Sequence, residues 1–242
     1  MSTPPNNILA GLDIGANKII CMIAEVQDAG LAVLGIGVSP SAGLKDGQVR
    51  DIASLEAAIR TAVSKAERMA RMTVAEVYVS VAVCAARSQI IEEDAPLDRG
   101  RAVSEQDVED LLEKARARIA VKDGRSIVHA LPAAYGLDGT YDRKPPIGLF
   151  GHTLSASLFV LEADEAPIRN LEMAVRRAQL DVAGFVYAPL ASALAVLMDE
   201  EQTLGAAVVD MGAGGCGLSL FAVGAPIHSE WIKGGGQDVT DE

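Results

Sequence analysis

Apolar and polar positions change period several times along the chain, and each change predicts an element. Three short runs rich in Ile, Val and Leu come first: Ile8–Ile14, Ile19–Val26 and Leu31–Val38. The links between them, Gly15-Ala16-Asn17 and Asp28-Ala29-Gly30, are short and contain glycine, which predicts consecutive antiparallel hairpins after a flexible tail over residues 1–7. A polar, Gly-rich loop is expected over Ser39–Arg50. From Asp51, an N-cap candidate, apolar side chains recur at Ile52, Leu55, Ile59, Val63, Ala66 and Met69, the spacing of a helix that buries one face. Val77–Val83 follows as a strand buried on both faces.

The middle of the chain has another texture. Glu92, Glu93, Asp94, Pro96 and Gly100 predict a polar excursion. Ser104-Glu105-Gln106-Asp107 resembles a capping box with Asp at its last position, opening a helix whose buried stripe is Val108, Leu111, Leu112, Ala115 and Ile119. Strand Ser126–Leu131, a Pro/Gly-rich stretch through Gly151 and strand Thr153–Leu161 complete what reads as a small α+β insert. Regular alternation then resumes: helix Glu165–Arg177, strand Val182–Tyr187, and helix Pro189–Met198 with proline in its first turn. Strands Ala206–Met211, Leu218–Val223 and Pro226–Trp231 close the chain, the first two joined by the loop Gly212–Gly217.

Composition narrows the function classes. Aromatic residues make up only 4% of the chain, so its cores must be built from Ala, Val, Ile and Leu. The formal net charge of −12 disfavours nucleic acid as a partner. Cys21, Cys84 and Cys216, like His129, His152 and His228, are scattered without metal-ligand spacing, and the thiols are expected to be structural and reduced. No apolar run approaches the roughly 20 residues that span a bilayer, and the first residues carry no signal-peptide pattern.

The chemistry-bearing feature is a weak internal repeat. Leu12-Asp13-Ile14-Gly15-Ala16-Asn17-Lys18 and Val209-Asp210-Met211-Gly212-Ala213-Gly214-Gly215 each place an aspartate at a strand end and then turn sharply through glycine. Such a turn lets backbone N–H groups converge on phosphate oxygens. The neighbouring aspartate can hold hydrated Mg²⁺, an ion that keeps several waters and uses few carboxylates. One Asp-Gly turn alone is commonly only a turn; two in matching settings point to a shared site.

These residues resemble the actin/Hsp70-like ATPases and, within them, the FtsA family of bacterial cell-division proteins, from about Ile8 to Thr240. Leu12–Ile19 looks like the superfamily's first phosphate motif. Ser41–Ile52 is similar to a loop characteristic of FtsA. His129-Ala130-Leu131-Pro132-Ala133-Ala134-Tyr135, then Pro146-Ile147-Gly148-Leu149 and Gly151, resemble the FtsA-specific subdomain 1C. Pro189-Leu190-Ala191-Ser192-Ala193 resembles the connecting helix, and Gly235-Gly236-Gln237-Asp238-Val239-Thr240 the motif after the second phosphate loop. There are departures. Ala16 and Asn17 stand where the family has hydroxyl residues, and Gly212-Ala213-Gly214-Gly215-Cys216-Gly217 stands for Gly-Gly-Gly-Thr-Thr-Asp. Ala188 occupies a position that is glutamate in many superfamily ATPases.

The resemblance implies an α/β fold: an actin-like (ribonuclease-H-like) mixed sheet with helices, a small α+β insert of the 1C type, and a truncated second half. The expected units are residues 1–84 with 163–203, the insert 85–162, and the start of a second unit over 204–242. A five-stranded sheet is expected from the first three strands, Val77–Val83 and Val182–Tyr187. The implied cofactors are ATP and Mg²⁺. Asp13, Gly15, Ala16, Asn17, Lys18, Asp210, Gly212, Ala213, Gly214, Gly215, Gly235 and Gly236 would bind them, with Asp13 and Asp210 reaching Mg²⁺ through water. No catalytic residue is assigned, and hydrolysis is at most weak. By resemblance the adenosine-binding segment and a membrane-binding C-terminal helix lie beyond Glu242. The implied partners are FtsZ, later division proteins and further copies of the chain in filaments, in the cytoplasm against the inner face of the membrane at the division site. Two other readings remain open: a scaffold of the same fold that binds no nucleotide, and a small-molecule kinase of the same superfamily.

Overall fold

The computed structural model describes residues 7–45, 47–82, 85–98 and 100–241. Residues 1–6 of the tail expected over 1–7, Asp46 of the loop, the strand end at Val83 and the thiol of Cys84 lie outside the described residues.

The first three strands, β1 (Ile8–Ile14), β2 (Lys18–Gln27) and β3 (Gly30–Pro40), form the expected meander. Two-residue strands β4 (Leu44–Lys45) and β5 (Gln48–Val49) tie off the following loop as a miniature hairpin. Helix α1 (Ile52–Ala70) starts where Asp51 Oδ1 accepts from the N–H groups of Ala53 at 3.0 Å and Ser54 at 3.3 Å. It lays Leu55, Ile59, Ala62 and Ala66, all 0% exposed, on the sheet. Strand β6 (Glu76–Val81) pairs parallel with β1. Later in the chain, α3 (Glu165–Arg177) leads to β11 (Asp181–Tyr187), which pairs parallel with β6. The five strands expected in one sheet do form one, in the order β11-β6-β1-β2-β3.

Between β6 and α3 lie β7 (Arg87–Pro96), α2 (Glu105–Ala117), β8 (Arg125–Leu137), β9 (Thr140–Asp142) and β10 (Thr153–Asp164). The capping box of α2 forms as read: Ser104 Oγ accepts from Asp107 N at 3.2 Å, and Asp107 Oδ2 accepts from Ser104 N at 2.9 Å. The polar excursion over Glu92–Pro96 is instead part of strand β7. It pairs along its whole length with β10, which is buried almost throughout, so the ladder overrides the polar composition. Strand β8 also runs further than read. It carries Pro132 beside a register shift opposite Ser157 and Leu158, where a strand tolerates proline.

After β11 come α4 (Ala188–Val196), the unanticipated α5 (Asp199–Leu204), strands β12 (Ala206–Met211), β13 (Gly215–Ala222) and β14 (Ala225–Lys233), and a final short helix α6 (Gly236–Asp241). The last three strands form the expected second meander. Its sheet does not stop there: the seven-stranded order is β12-β13-β14-β7-β10-β8-β9, joined to the insert where Glu230 meets Arg87. The insert has its own small core of Val108, Leu111, Leu112, Leu154, Leu158 and Val160. At its base, Ala133, Phe159, Leu161 and Ala163 belong to the main core.

One contact between β8 and β11 titrates. His129 Nε2 accepts from the backbone N–H of Tyr187 at 2.9 Å, which only an unprotonated nitrogen can do. Burial pushes the His129 pKa below its ordinary 6.5. A depressed folded-state pKa adds stability above the unfolded value and loses it as pH falls through the folded one. Between pH 7 and 5 the wild type should therefore lose thermal stability more steeply than His129→Gln, whose amide oxygen accepts at any pH. Parallel slopes in melts across that range would refute this.

Candidate functional site

The two aspartate turns come together at one cleft. Gly15 N donates to Lys18 O at 3.1 Å in the β1–β2 turn, and Gly212 N donates to Gly215 O at 2.9 Å in the β12–β13 turn. The repeat read in the sequence is thus a repeat of hydrogen bonding. The turns also touch: a Cβ built on Gly214 would lie 3.0 Å from Ala16 Cβ. Asp13, Gly15, Ala16, Asn17 and Lys18 from the first turn, with Asp210, Gly212, Ala213, Gly214 and Gly215 from the second, line a cleft of about 380 Å³. Leu44 and Gly47 of the β3–α1 loop, with Leu171 of α3, complete part of its wall.

Gly235 and Gly236 are elsewhere. They back the second turn rather than facing the cleft. Gly236 N donates to Gly212 O at 2.9 Å and Gln237 N to Ala213 O at 3.0 Å, so the start of α6 occupies the carbonyls of the turn. At Gly235 a Cβ would meet Ala213 O and Gly215 N at 2.5 Å, so only glycine permits this approach.

Electrostatics mark the same place. Burial raises the Asp13 pKa above the ordinary aspartate value, a hydrogen bond from Ser80 opposes it, the charge of Asp210 raises it further, and Lys18 lowers it. Two carboxylates within each other's field, on a cleft wall rich in glycine N–H groups, form a site where a cation and phosphate oxygens complement what is present. Among the described residues no three His, Cys, Asp or Glu side chains gather to hold a metal. A cation between Asp13 and Asp210 would therefore keep much of its water, as Mg²⁺ does.

Several site residues escaped the sequence reading. Ser192 of α4 donates to Asp210 Oδ2 at 2.7 Å. Pro189, also on the cleft wall, lies so close to β13 that a Cβ on Gly217 would meet its Cγ at 1.9 Å. Trp231 lies against Gly215, where a Cβ would fall 2.0 Å from its ring. Only the Pro-Leu-Ala-Ser-Ala segment gave a signal, and it gave a helix rather than a role. Of the thiols, burial pushes the Cys21 pKa up to about 12, and Cys216 Sγ donates to Gly234 O at 3.2 Å.

Comparison with known proteins brings in the insert. Residues 85–161 match the family described as the SHS2 domain inserted in FTSA. The cell-division protein FtsA of Rhizobium meliloti is 34% identical over 98% of this chain, and that of Agrobacterium fabrum 36% over all of it. The chain is FtsA-like. It is also 30% identical to FtsA of Escherichia coli K12 over 97% of its length. It spans 56–57% of these three relatives. Among solved structures, the PilM-PilN type IV pilus biogenesis complex superposes on 98% of the chain with a TM-score of 0.65 at 19% identity, covering 65% of that chain. The ethanolamine utilization protein EutJ of Carboxydothermus hydrogenoformans gives 0.53 at 15% identity over 99% of this chain and 56% of its own. At those identities the likeness establishes the fold, which is actin-like. Among the described residues no helix is long and apolar enough to cross a membrane.

Proposed function

We propose that this FtsA-like chain binds the phosphates of ATP with hydrated Mg²⁺ at the cleft and works in bacterial septum assembly. There it would link FtsZ filaments to the inner face of the membrane, assemble with copies of itself and help gather later division proteins. Membrane contact would be made by a C-terminal helix of the kind the resemblance implies. The units would be residues 1–84 with 163–203, the insert 85–162 as a protein-contact module, and 204–242 as the opening of the second half. One observation carries the nucleotide reading: two Asp-x-Gly turns with the same internal hydrogen bond converge on a single cleft. Ala16 and Asn17, with Ala213–Gly215, supply N–H groups to phosphate oxygens, those of Gly15 and Gly212 being held inside the turns, and Lys18 adds a positive charge beside them. Asp13 and Asp210 hold the cation's water shell. The bound ion supplies charge neutralisation at the phosphates.

The groups gathered at the cleft address phosphates and cation, so the proposal predicts how binding responds to the ligand's parts. Mg·ATP and Mg·pyrophosphate should bind this chain alike, near the millimolar level that about 4 kcal/mol represents. Asp210→Ala should weaken both at least about tenfold. Titration calorimetry at low ionic strength reads this directly, low salt preserving the charge interactions. A second reading has its own observation: no hydroxyl side chain lies in either turn, and Ala16 packs against Gly214. If neither ligand binds at 10 mM, a concentration about ten times the expected dissociation constant, that scaffold reading replaces the first.

A further inference from the structure

Each cleft aspartate is gripped by a serine from another element. Ser80 stands beside Asp13 in register across the parallel β1–β6 pair, where its hydroxyl favours the ionised form of that carboxylate. Ser192 comes from α4, the helix that connects the five-stranded sheet to β12, and donates to Asp210 Oδ2 at 2.7 Å. One grip is strand to strand and the other helix to strand, so the likeness of the two hairpins does not by itself produce both. A hydroxyl bound to one carboxylate oxygen fixes the plane of the carboxylate and leaves the other oxygen free. Bonds of this kind to an ionised acceptor are short and stronger than neutral ones. Here they hold two negative groups where each feels the other, an arrangement that costs free energy until a cation arrives.

We propose that Ser80 and Ser192 are positioning residues for one divalent cation shared by Asp13 and Asp210, each setting the free oxygen of its aspartate toward the water shell of the ion. This rests on the cation part of the reading above and extends it to two residues that stand behind the cleft lining. Groups that orient ligands from behind govern metal affinity about 10- to 100-fold. Ser192 also places the cation's hold on Asp210 in mechanical continuity with α4, which packs on β12, β13 and β14.

The chain's single tryptophan makes the test direct. Trp231 lines the same cleft as both aspartates, so Tb³⁺ bound there is sensitised by indole excitation, and Mg²⁺ added afterwards displaces it. The wild type should give a saturable Tb³⁺ signal reversed by Mg²⁺. Ser192→Ala and Ser80→Ala should each shift the midpoint about tenfold upward, and Ser192→Thr, which keeps the hydroxyl, should restore it to within about twofold. Melting temperatures in EDTA serve as the folding control, and Ser80→Ala carries the test if Ser192→Ala misfolds. A wild type without signal overturns the cation reading and this inference together. A wild-type signal that the alanine variants leave unchanged overturns the inference alone, as does a threonine variant as weak as alanine in a chain that melts normally.

Discussion

Gly37→Val is expected to destabilise the chain by more than about 3 kcal/mol, enough to leave little folded protein in a domain whose total stability is of the order of 5–15 kcal/mol. Strand β3 runs directly beneath α1, and Gly35 and Gly37 are the two points where the backbones nearly touch. A Cβ on Gly37 would lie 1.9 Å from Ala62 O and 2.6 Å from Ala66 N, and one on Gly35 would lie 2.3 Å from Ala66 O. These are backbone atoms of a helix, so no rotamer change relieves the overlap; the whole helix must retreat. Leu55, Ile59, Ala62 and Ala66 would then lose the close packing that leaves them 0% exposed. Gly11→Ala is the matched control, because nothing lies within 4 Å of the Cβ it would add; its effect should stay within about 0.5 kcal/mol. Urea unfolding of the three proteins decides the matter, and a Gly37→Val midpoint close to wild type would show that α1 can shift without loss.

The same pair of glycines shows what the sequence could and could not carry. Alternation read Leu31–Val38 correctly as a strand, but a glycine in a strand only hints at a close approach and does not name the partner. The apolar spacing placed α1, α3 and β11 well because their buried faces repeat with the period of the element itself. Asp51 and Ser104 were legible as caps because their partners lie two or three residues away. Across the fold that locality fails. Strand β7 looked like a loop because Glu92, Glu93 and Asp94 are polar, and only its ladder with β10 makes it a strand. Helices α5 and α6 are six residues each, too short to establish a period. The junction of Glu230 with Arg87 leaves no trace in composition.

At the site the division is similar. Asp13 and Asp210 were found because a repeat of type and spacing is visible in one dimension. Ser80 and Ser192 were not, since a serine's partner across space leaves no spacing signal. The glycines read together as phosphate binders also meet different packing demands. Gly214 lets the two turns meet and Gly215 makes room for Trp231, whereas Gly235 lets α6 seal the second turn from behind. The departure at Ala16 also acquires a physical meaning: a Cβ on Gly214 would already lie 3.0 Å from Ala16 Cβ, so a larger side chain at either position would hold the turns apart.

Removing the Arg125 side chain should cost about 3 kcal/mol and loosen the base of the insert first. Its guanidinium ties three parts of the chain at one point. Nη2 donates to Ala85 O at 2.8 Å and to Glu162 O at 2.9 Å, Nε to Glu162 Oε2 at 3.3 Å, and Nη1 to Asp164 Oδ1 at 2.9 Å. Ala85 opens the stretch that matches the inserted SHS2 domain, and Glu162 and Asp164 lie just past its end. The Arg125 and Glu162 side chains are only 14% and 11% exposed, so truncating the arginine leaves a carboxylate largely out of water, with Gln89 Nε2 at 2.9 Å from its Oε1. Breaking one side of a buried pair costs about 3–5 kcal/mol. The lower end applies here because Asp164 is 48% exposed and its share is screened by solvent. Arg125→Lys keeps the charge but not the planar fork, so it should recover only part of the loss. The decisive comparison is the double variant Arg125→Met with Glu162→Gln. If the penalty of the single change is an uncompensated buried carboxylate, neutralising Glu162 should return most of the stability. If instead the bonds to the Ala85 and Glu162 carbonyls dominate, the double variant should melt as low as Arg125→Ala. Hydrogen exchange at the β8–β10 ladder would separate the two, since protection there should fall with the single change and return with the double one.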